Sequence, residues 1–293
     1  MSDRLEVRKT YKLFIGGAFP RSESGRSEPV ADAAGAHWAN ASRASRKDVR
    51  DAVSAAAKAF GGWSTRTAYN RGQVIYRVAE VLEGRRAQFA EAVERAEGVK
   101  PAEAGRRVAR AVDRLVWYAG WADKLGQVFG TVNPVAGPFA NWSVPEPTGV
   151  VGLVAPPDSA LLGLVSRLAP IITGGNTAVV LAPEAAPLPA IDLAEVLATS
   201  DLPGGVVNIL TGRTAELLPP LAAHMGVHGI DLAGVRDPEL RRAAEVAAAE
   251  NVKRVAGPVG LAAGDWLDDA GGQDPWWIAA FMETKTTWHP AGV

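Results

Sequence analysis

Between residues 149 and 251 the chain changes its hydrophobic period again and again. Short unbroken apolar runs, GVVGLVA, TAVVL, GVVNIL and VHGIDLAG, alternate with the longer segments SALLGLVSRLAPIIT, LPAIDLAEVLATSD, TAELLPPLAAH and DPELRRAAEVAAAEN. A strand without polar alternation is buried on both faces, which calls for a parallel sheet with helices on either side. Right-handed crossovers lay such strands into one sheet. The fold class is therefore α/β, built on a Rossmann-like parallel sheet. Ligands of such sheets bind beyond the carboxyl ends of the strands. Yet one of those ends reads APEA, residues 182 to 185, with no Lys, Arg, Ser or His to hold anything.

Upstream, YKLFIGGAFPRSESGRS (11–27) predicts a strand, a Gly-Gly turn and a polar loop, as in an edge hairpin. From Ser45 the spacing is helical. Val49, Ala52, Val53, Ala56 and Phe60 share a stripe, Ser45 and Asp48 make a capping-box start, and Gly61 marks the stop. A second helical stretch, 71–98, turns Val74, Ile75, Val78, Val81 and Leu82 inward and breaks at Gly84, and a third, 111–126, packs Leu115, Trp117, Tyr118 and Trp121. ANWSVPEPTGVVGLVAPPD (140–158) reads as two strands around a turn. Near the end, Phe281, Glu283, Lys285 and Thr287 alternate with Met282, Thr284, Thr286 and Trp288, a period of two that predicts a strand. Such a strand needs a sheet to join, and another subunit is one possible host. Trp266, Trp276, Trp277 and Trp288 crowd the same stretch, too short to wrap its own core, so burial at an interface is expected.

Composition narrows the function classes. Lys and Arg number 31 against 32 Asp and Glu, a net charge of −1, so no global field favours nucleic acid or an anionic membrane. The basic runs RASRKDVR (43–50) and GRRVAR (105–110) have acids close by and read as solvated helix faces. No run approaches the roughly 18 apolar residues of a membrane span, and the first residues lack the apolar core of a secretion signal, so a cytoplasmic protein is expected. There is no cysteine, which removes disulfides, thiolate metal sites and thiol nucleophiles together. His224 and His228 stand four apart, but Gly226 predicts a loop and no third ligand follows; no metal is expected. GDWLDDAGGQD lacks the closing Glu of an EF-hand loop, and Ser159 lacks a Gly-x-Ser-x-Gly elbow.

Six collinear segments, LFIGGAF, RLVWYAGWADKLG, EPTGVVGLVAP, LAPIITGGNTAVVLAPE, DLPGGVVNILTG and AAAENVKRV, resemble motifs of the aldehyde dehydrogenase superfamily in that family's order. The resemblance runs from residue 11 to about 256 and resumes at AFMETKTTWHP (280–290), which is similar to the family's terminal strand that pairs with a neighbouring subunit. It implies N-terminal helices and a cofactor-type domain over 1–260, a connector over 261–277 where the catalytic domain is absent, and a C-terminal oligomerisation strand over 278–293.

The resemblance also implies a mechanism. Family members attack an aldehyde with a cysteine thiolate, steady the oxyanion with an asparagine, pass hydride to NAD(P) and hydrolyse the thioester with a glutamate base. This chain has no cysteine, and AGPVGLA stands where the glutamate motif belongs, with Pro258 in place of the base. Proline cannot move a proton. PPD puts Asp158 where the asparagine belongs, a carboxylate that repels an oxyanion. No catalytic residue is expected.

For the cofactor, Ala182, Pro183, Glu184 and Ala185 match the family's Lys-Pro-Ser-Glu. The lysine that meets the ribose or its 2′-phosphate has become a methyl group, and Glu184 is acidic beside it. Leu232 to Val235 match Phe-Thr-Gly-Ser and keep only Gly234. Pro156, Gly212 and Gly234 are what remains of the cofactor site, so no cofactor is expected, NAD(P) being the one candidate. Trp276, Trp277, Phe281, Lys285 and Trp288 are the expected interface. The whole is similar to the inactive second module of two-module aldehyde dehydrogenases. It implies a non-catalytic structural or regulatory subunit that assembles with a full-length, active NAD(P)-dependent aldehyde dehydrogenase, or with itself. Two alternatives stay open: an active NAD-dependent aldehyde oxidoreductase with a non-standard site, and a nucleotide-binding sensor.

Overall fold

The computed structural model describes residues 9–257 and 266–291. Three short strands near the start, β1 (Thr10–Tyr11), β2 (Ser27–Ala31) and β3 (His37–Ser42), make a small sheet of order β1-β3-β2. Five helices follow: α1 (Arg46–Ser64), α2 (Ala68–Gly84), α3 (Arg86–Glu97), α4 (Pro101–Ala119) and the short α5 (Leu125–Val128). α1 opens on a capping box, in which Ser45 Oγ accepts from Asp48 N and the Asp48 carboxylate accepts from Ser45 N at 2.7 Å. Gly61 does not stop it, contrary to the sequence reading. The helix runs on until Trp63 is fully buried, its indole N–H donating to Ile172 O at 3.0 Å. Burying that indole outweighs the roughly 1 kcal/mol that a mid-helix glycine costs. The break expected at Gly84 falls where α2 gives way to α3.

After β4 (Thr131–Val132) and β5 (Phe139–Pro147) comes the alternating region: β6 (Val150–Val154), α6 (Leu162–Thr173), β7 (Thr177–Leu181), α7 (Leu188–Ala198), β8 (Val207–Leu210), α8 (Thr214–Ala222), β9 (Gly229–Asp231), α9 (Pro238–Ala249) and β10 (Arg254–Ala256). Strands β6 to β10 form one all-parallel sheet of order β10-β9-β6-β7-β8. Every residue of β6, β7 and β8 is buried, as their unbroken apolar runs demand. β7 and β8 are laid to one side of β6, β9 and β10 to the other. The loops after β6 and β9 therefore flank a topological switch point, where ligands of open α/β sheets bind.

The two strands read at 140–158 do form but part company. Gly149, at φ +137°, turns the chain between them where any Cβ would strike the His228 imidazole, so β6 enters the parallel sheet and β5 leaves it. Two short helices, α10 (Asp269–Gly272) and α11 (Trp276–Ala279), precede the last strand, β11 (Met282–Pro290). β11 pairs antiparallel with β5 from Met282 opposite Pro147 to Pro290 opposite Phe139, in a second small sheet of order β11-β5-β4. The terminal strand thus has a host within its own chain.

Candidate functional site

The loop after β6 holds Pro156 and Asp158; the loop after β9 runs from Leu232 to Arg236. They meet at Gly234, whose N–H donates to Val154 O at 3.0 Å and whose Cβ, if it had one, would lie 2.6 Å from that same oxygen. Close packing of the two loops explains this glycine. Across the switch point Arg236 Nη2 donates to Asp158 Oδ2 at 2.7 Å. Trp266, 5 % exposed, lies on the same carboxylate with its indole Nε1 3.4 Å from Asp158 Oδ1. Pro156 is buried, against the start of α6 near Gly163. Asp158 is thus a partnered anion bridging two loops, with an indole N–H donating to it.

Trp266 belongs to a strap, residues 266–280, that is anchored from beneath. The Arg114 side chain, 0 % exposed, donates through Nη2 to Trp266 O at 2.9 Å and Asp268 O at 2.8 Å, and through Nη1 to Ser166 Oγ at 3.1 Å. Tyr118 donates its hydroxyl to Gly272 O at 3.0 Å; burial pushes its phenol up to about 12, which keeps it a donor. Trp277 lies 4.0 Å over the Arg167 guanidinium, which is itself buried and donates through Nε to Asp231 Oδ2 at 2.8 Å. A buried cation here has both a carboxylate and an aromatic face.

In a parallel sheet the helices that follow the strands aim their N-terminal N–H groups at this same edge, and those groups are natural seats for phosphate. In this chain its own carboxylates hold two of the seats and sit just ahead of a third. Glu97, the last residue of α3, accepts from Ala160 N at 2.7 Å and from Leu161 N just ahead of α6. Burial holds its carboxyl above the usual glutamate range, although Arg107 is paired with it. Glu184 Oε2 accepts from Thr214 N at 2.9 Å, the first residue of α8. Asp237 Oδ1 accepts from Glu239 N at 2.9 Å and Leu240 N at 3.3 Å at the head of α9. Ala182 is buried, and Gly212, at φ +145°, sits where a Cβ would press on Ala44 N at 3.2 Å. Beside these loops is a cavity of about 200 Å³ whose described lining includes Glu28 and Glu184 and no cation.

Other sequence readings fall out unevenly. Phe281, expected at an interface, is 1 % exposed and packed against Gly229 in its own core; no partner can reach it. Trp266 likewise finds its burial within the chain, because Arg114 and Asp158 bind the strap down. Trp277 is half-buried on Arg167, whereas Trp276 and Trp288 are exposed, edge-on to Phe129 and Phe139. Lys285 is exposed and its Nζ lies 3.1 Å from Glu146. His224 and His228 sit in a loop, each accepting a backbone N–H at Nδ1. Pro258 lies outside the described residues. Sequence reading passed over Arg114 and Arg167. A signal existed, since each is a lone charge on an otherwise apolar helical stripe.

Sheet order and switch point define a class, the doubly wound α/β proteins of dinucleotide-binding architecture. Residues 19–260 match the aldehyde dehydrogenase family, and the chain belongs to that family. It is 33 % identical over 257 residues to retinal dehydrogenase 2 of Mus musculus, covering 86 % of this chain and 48 % of that protein. With aldehyde dehydrogenase, cytosolic 1 of Elephantulus edwardii it shares 32 % over 256 residues, 83 % of this chain and 49 % of that one. Among solved structures, HpcC from Thermus thermophilus superimposes with a TM-score of 0.81 at 31 % identity, covering 86 % of this chain and 48 % of its own. An aldehyde dehydrogenase from Bacillus cereus, solved as an NAD+ complex, gives 0.79 at 25 % identity, covering 84 % and 50 %. The chain spans about half the length of these relatives.

A family relative holding NAD+ goes against the expectation of no cofactor and makes NAD(P) the ligand to test against the residues. Towards a dinucleotide's phosphates this edge presents Glu184 and Asp237 at helix N-termini and Glu97 just ahead of a third, with Ala182 where the resemblance places a lysine and with Arg213 and Arg236 already paired to Glu28 and Asp158. These residues do not fit the group.

Proposed function

We propose that the chain is a non-catalytic structural subunit of the aldehyde dehydrogenase family, with an affinity for NAD(P) far below that of a member whose phosphate seats are open. The observation that carries this reading is the closed carboxyl edge: Arg236 and Asp158 join the two switch-point loops under Trp266. The lack of any cysteine supports it, because covalent aldehyde capture of the family's kind needs a thiolate. In this reading the strap stands in for a catalytic domain, and the subunit assembles with a full-length relative or with itself through the small sheet, where Trp288 and Lys285 are exposed. No described helix is long and apolar enough to cross a membrane, which suits a cytoplasmic subunit.

Calorimetric titration with NAD+ and NADP+, run beside an aldehyde-oxidation assay followed at the NADH absorbance, tests the reading on pure protein. No turnover and no saturable binding in the micromolar range are expected. NADH production by the isolated chain would overturn it, and micromolar binding without turnover would replace it with a nucleotide sensor.

A further inference from the structure

Away from the closed edge, the basic run RASRKDVR (43–50) lines a cavity on one flank. The first turns of α1, the end of α8 and the loop after it enclose an open space of about 730 Å³. None of its described lining belongs to the loops after β6, β7 or β9, so it is separate from the switch point. Arg46, Lys47 and Arg50 supply cations from α1, His224 lines it from the loop, and Glu23 is the one carboxylate in the described lining.

Elsewhere in the chain arginines are spent on carboxylates: Arg43 on Glu28 and Glu216, Arg85 on Glu195, Arg107 on Glu97 and Glu103. Arg46 and Arg50 are not. Among the described residues neither has a carboxylate in ion-pair reach or a side-chain hydrogen bond. The acids beside them are committed to neutral donors. Asp48, 3 % exposed, accepts from Ser22 Oγ and from Ser45 N, each at 2.7 Å, and Glu23 Oε1 accepts from Ser45 Oγ at 3.0 Å. Lys47 has Asp51 at 3.2 Å, a pair in which both side chains are half-exposed. The backbone at the head of α1 is not the attraction, since Ser45 Oγ already accepts from Lys47 N and Asp48 N. On the far wall His224 Nδ1 accepts from Gly226 N at 3.0 Å, which leaves the proton of the neutral ring on Nε2, where no described acceptor meets it. Burial, and then the charges of Lys253 and Arg50, hold this imidazole below its usual range, so at neutral pH it is an N–H donor in a positive field.

We propose that this cavity binds a phosphorylated organic molecule, its phosphate held between Arg46, Lys47 and Arg50 of α1 and the Nε2–H of His224. Guanidinium forks match phosphate oxygens in pairs, and three cations against one carboxylate favour a dianion over a monocarboxylate. The space falls within the roughly 300–1,000 Å³ of clefts that hold small organic ligands and is more than a bare phosphate fills. Pro220, Ala223 and Met225, the last 65 % exposed, offer the rest of the ligand an apolar wall. The site goes beyond the subunit reading: a chain whose cofactor edge is shut has a ligand of its own on the flank of the sheet.

Calorimetric titration of the whole chain with phenyl phosphate, and with inorganic phosphate beside it, tests the site. Phenyl phosphate is expected to saturate with a Kd below about 1 mM and to bind at least about threefold more tightly than phosphate, because its ring covers apolar surface. Arg46→Gln and Arg50→Gln each remove a charge that holds nothing else among the described residues. The unfolding midpoint should therefore stay where it is while affinity falls at least about tenfold. Arg86→Gln takes the same charge from an exposed pair in α3 and should alter affinity by less than about twofold. In proton NMR the His224 ring should titrate at a higher pH with ligand bound, since a dianion favours the imidazolium, while His228, outside the lining, should not follow. No saturation by about 10 mM phenyl phosphate, an equal loss from Arg86→Gln, a His224 titration indifferent to ligand, or equal binding of the two phosphates would each overturn the inference. NADH production tests the closed edge and none of these measurements does, so either reading can fall alone.

Discussion

Two edges among the described residues, the carboxyl edge of the parallel sheet and the outer edge of the small one, are finished differently. At the carboxyl edge of the parallel sheet the groups that could hold a ligand already have partners: Asp158 is bound to Arg236, Glu184 and Asp237 fill two helix N-termini, and Glu97 takes the N–H groups just ahead of a third. At the outer edge of the small sheet β11 leaves a row of backbone groups without partners among the described residues. A polar group already paired within the protein has little to gain from a visitor, whereas one that faces water can exchange it for a protein hydrogen bond worth about 0.5–1.5 kcal/mol net. The contrast teaches that this chain has put its spare bonding capacity into its periphery and not into the crevice that its fold class uses.

The comparison breaks most readily at the anchor of the strap. Arg114→Ala would leave the carbonyls of Trp266 and Asp268 without their donor and open space in the core, so a loss of about 3–4 kcal/mol is expected in urea unfolding. If the strap were loosely held, the loss would fall below about 1 kcal/mol.

A pH series sharpens the contrast by separating edge from interior. Asp192, buried in α7 away from both edges, has its carboxyl raised by burial from 3.8 to about 6. The folded state binds this proton more tightly than the unfolded chain does. Stability therefore falls as pH rises from about 4 to about 6 and stays lowered above that. Asp192→Asn is expected to raise stability by about 2 kcal/mol above pH 6 and by nothing near pH 4, read from denaturation midpoints. A gain that did not vary with pH would mean that another group sets the window.

Smaller effects test each edge directly. Asp158→Asn cuts a half-exposed ion pair and should cost about 1 kcal/mol or less, with a change in Trp266 fluorescence as the indole loses its carboxylate. Lys285→Ala removes a pair with Glu146 whose side chains are 62 % and 48 % exposed, and should leave the unfolding midpoint where it was. A larger loss there would show that the outer sheet depends on that pair more than its exposure allows.

Much of the parallel sheet was legible because its cause is local. Runs such as TAVVL and GVVGLVA specify strands buried on both faces wherever they pair. The capping box at Ser45 and Asp48 was legible for the same reason. What stayed hidden depends on distant partners. Gly61 carries no mark that Trp63 will be buried against Ile172, and Glu184 carries none that it will reach the head of α8, thirty residues on. At the carboxyl edge the sequence showed the loss, a methyl at Ala182 and a carboxylate at Asp158, but not the substitutes that α3 and the strap provide. Phe281 was misread because the period of two was carried one residue too far back: β11 begins at Met282, and Phe281 lies ahead of it, turned into the core beside Gly229, while Glu283, Lys285 and Thr287 of the same parity stay out of the core.

The three carboxylates at or just ahead of the helix heads come from separate stretches of chain: Glu97 from the end of one helix, Glu184 from a loop, Asp237 from the residue beside the helix it serves. Removing Glu184 or Asp237 strips a helix head of its acceptor before a phosphate can take its place, while the remaining carboxylates go on repelling it. A mutational walk from this sequence towards one that grips a dinucleotide therefore begins with steps downhill in stability and without compensation. Such an edge works as a ratchet, readily shut by single substitutions and reopened only by several made together.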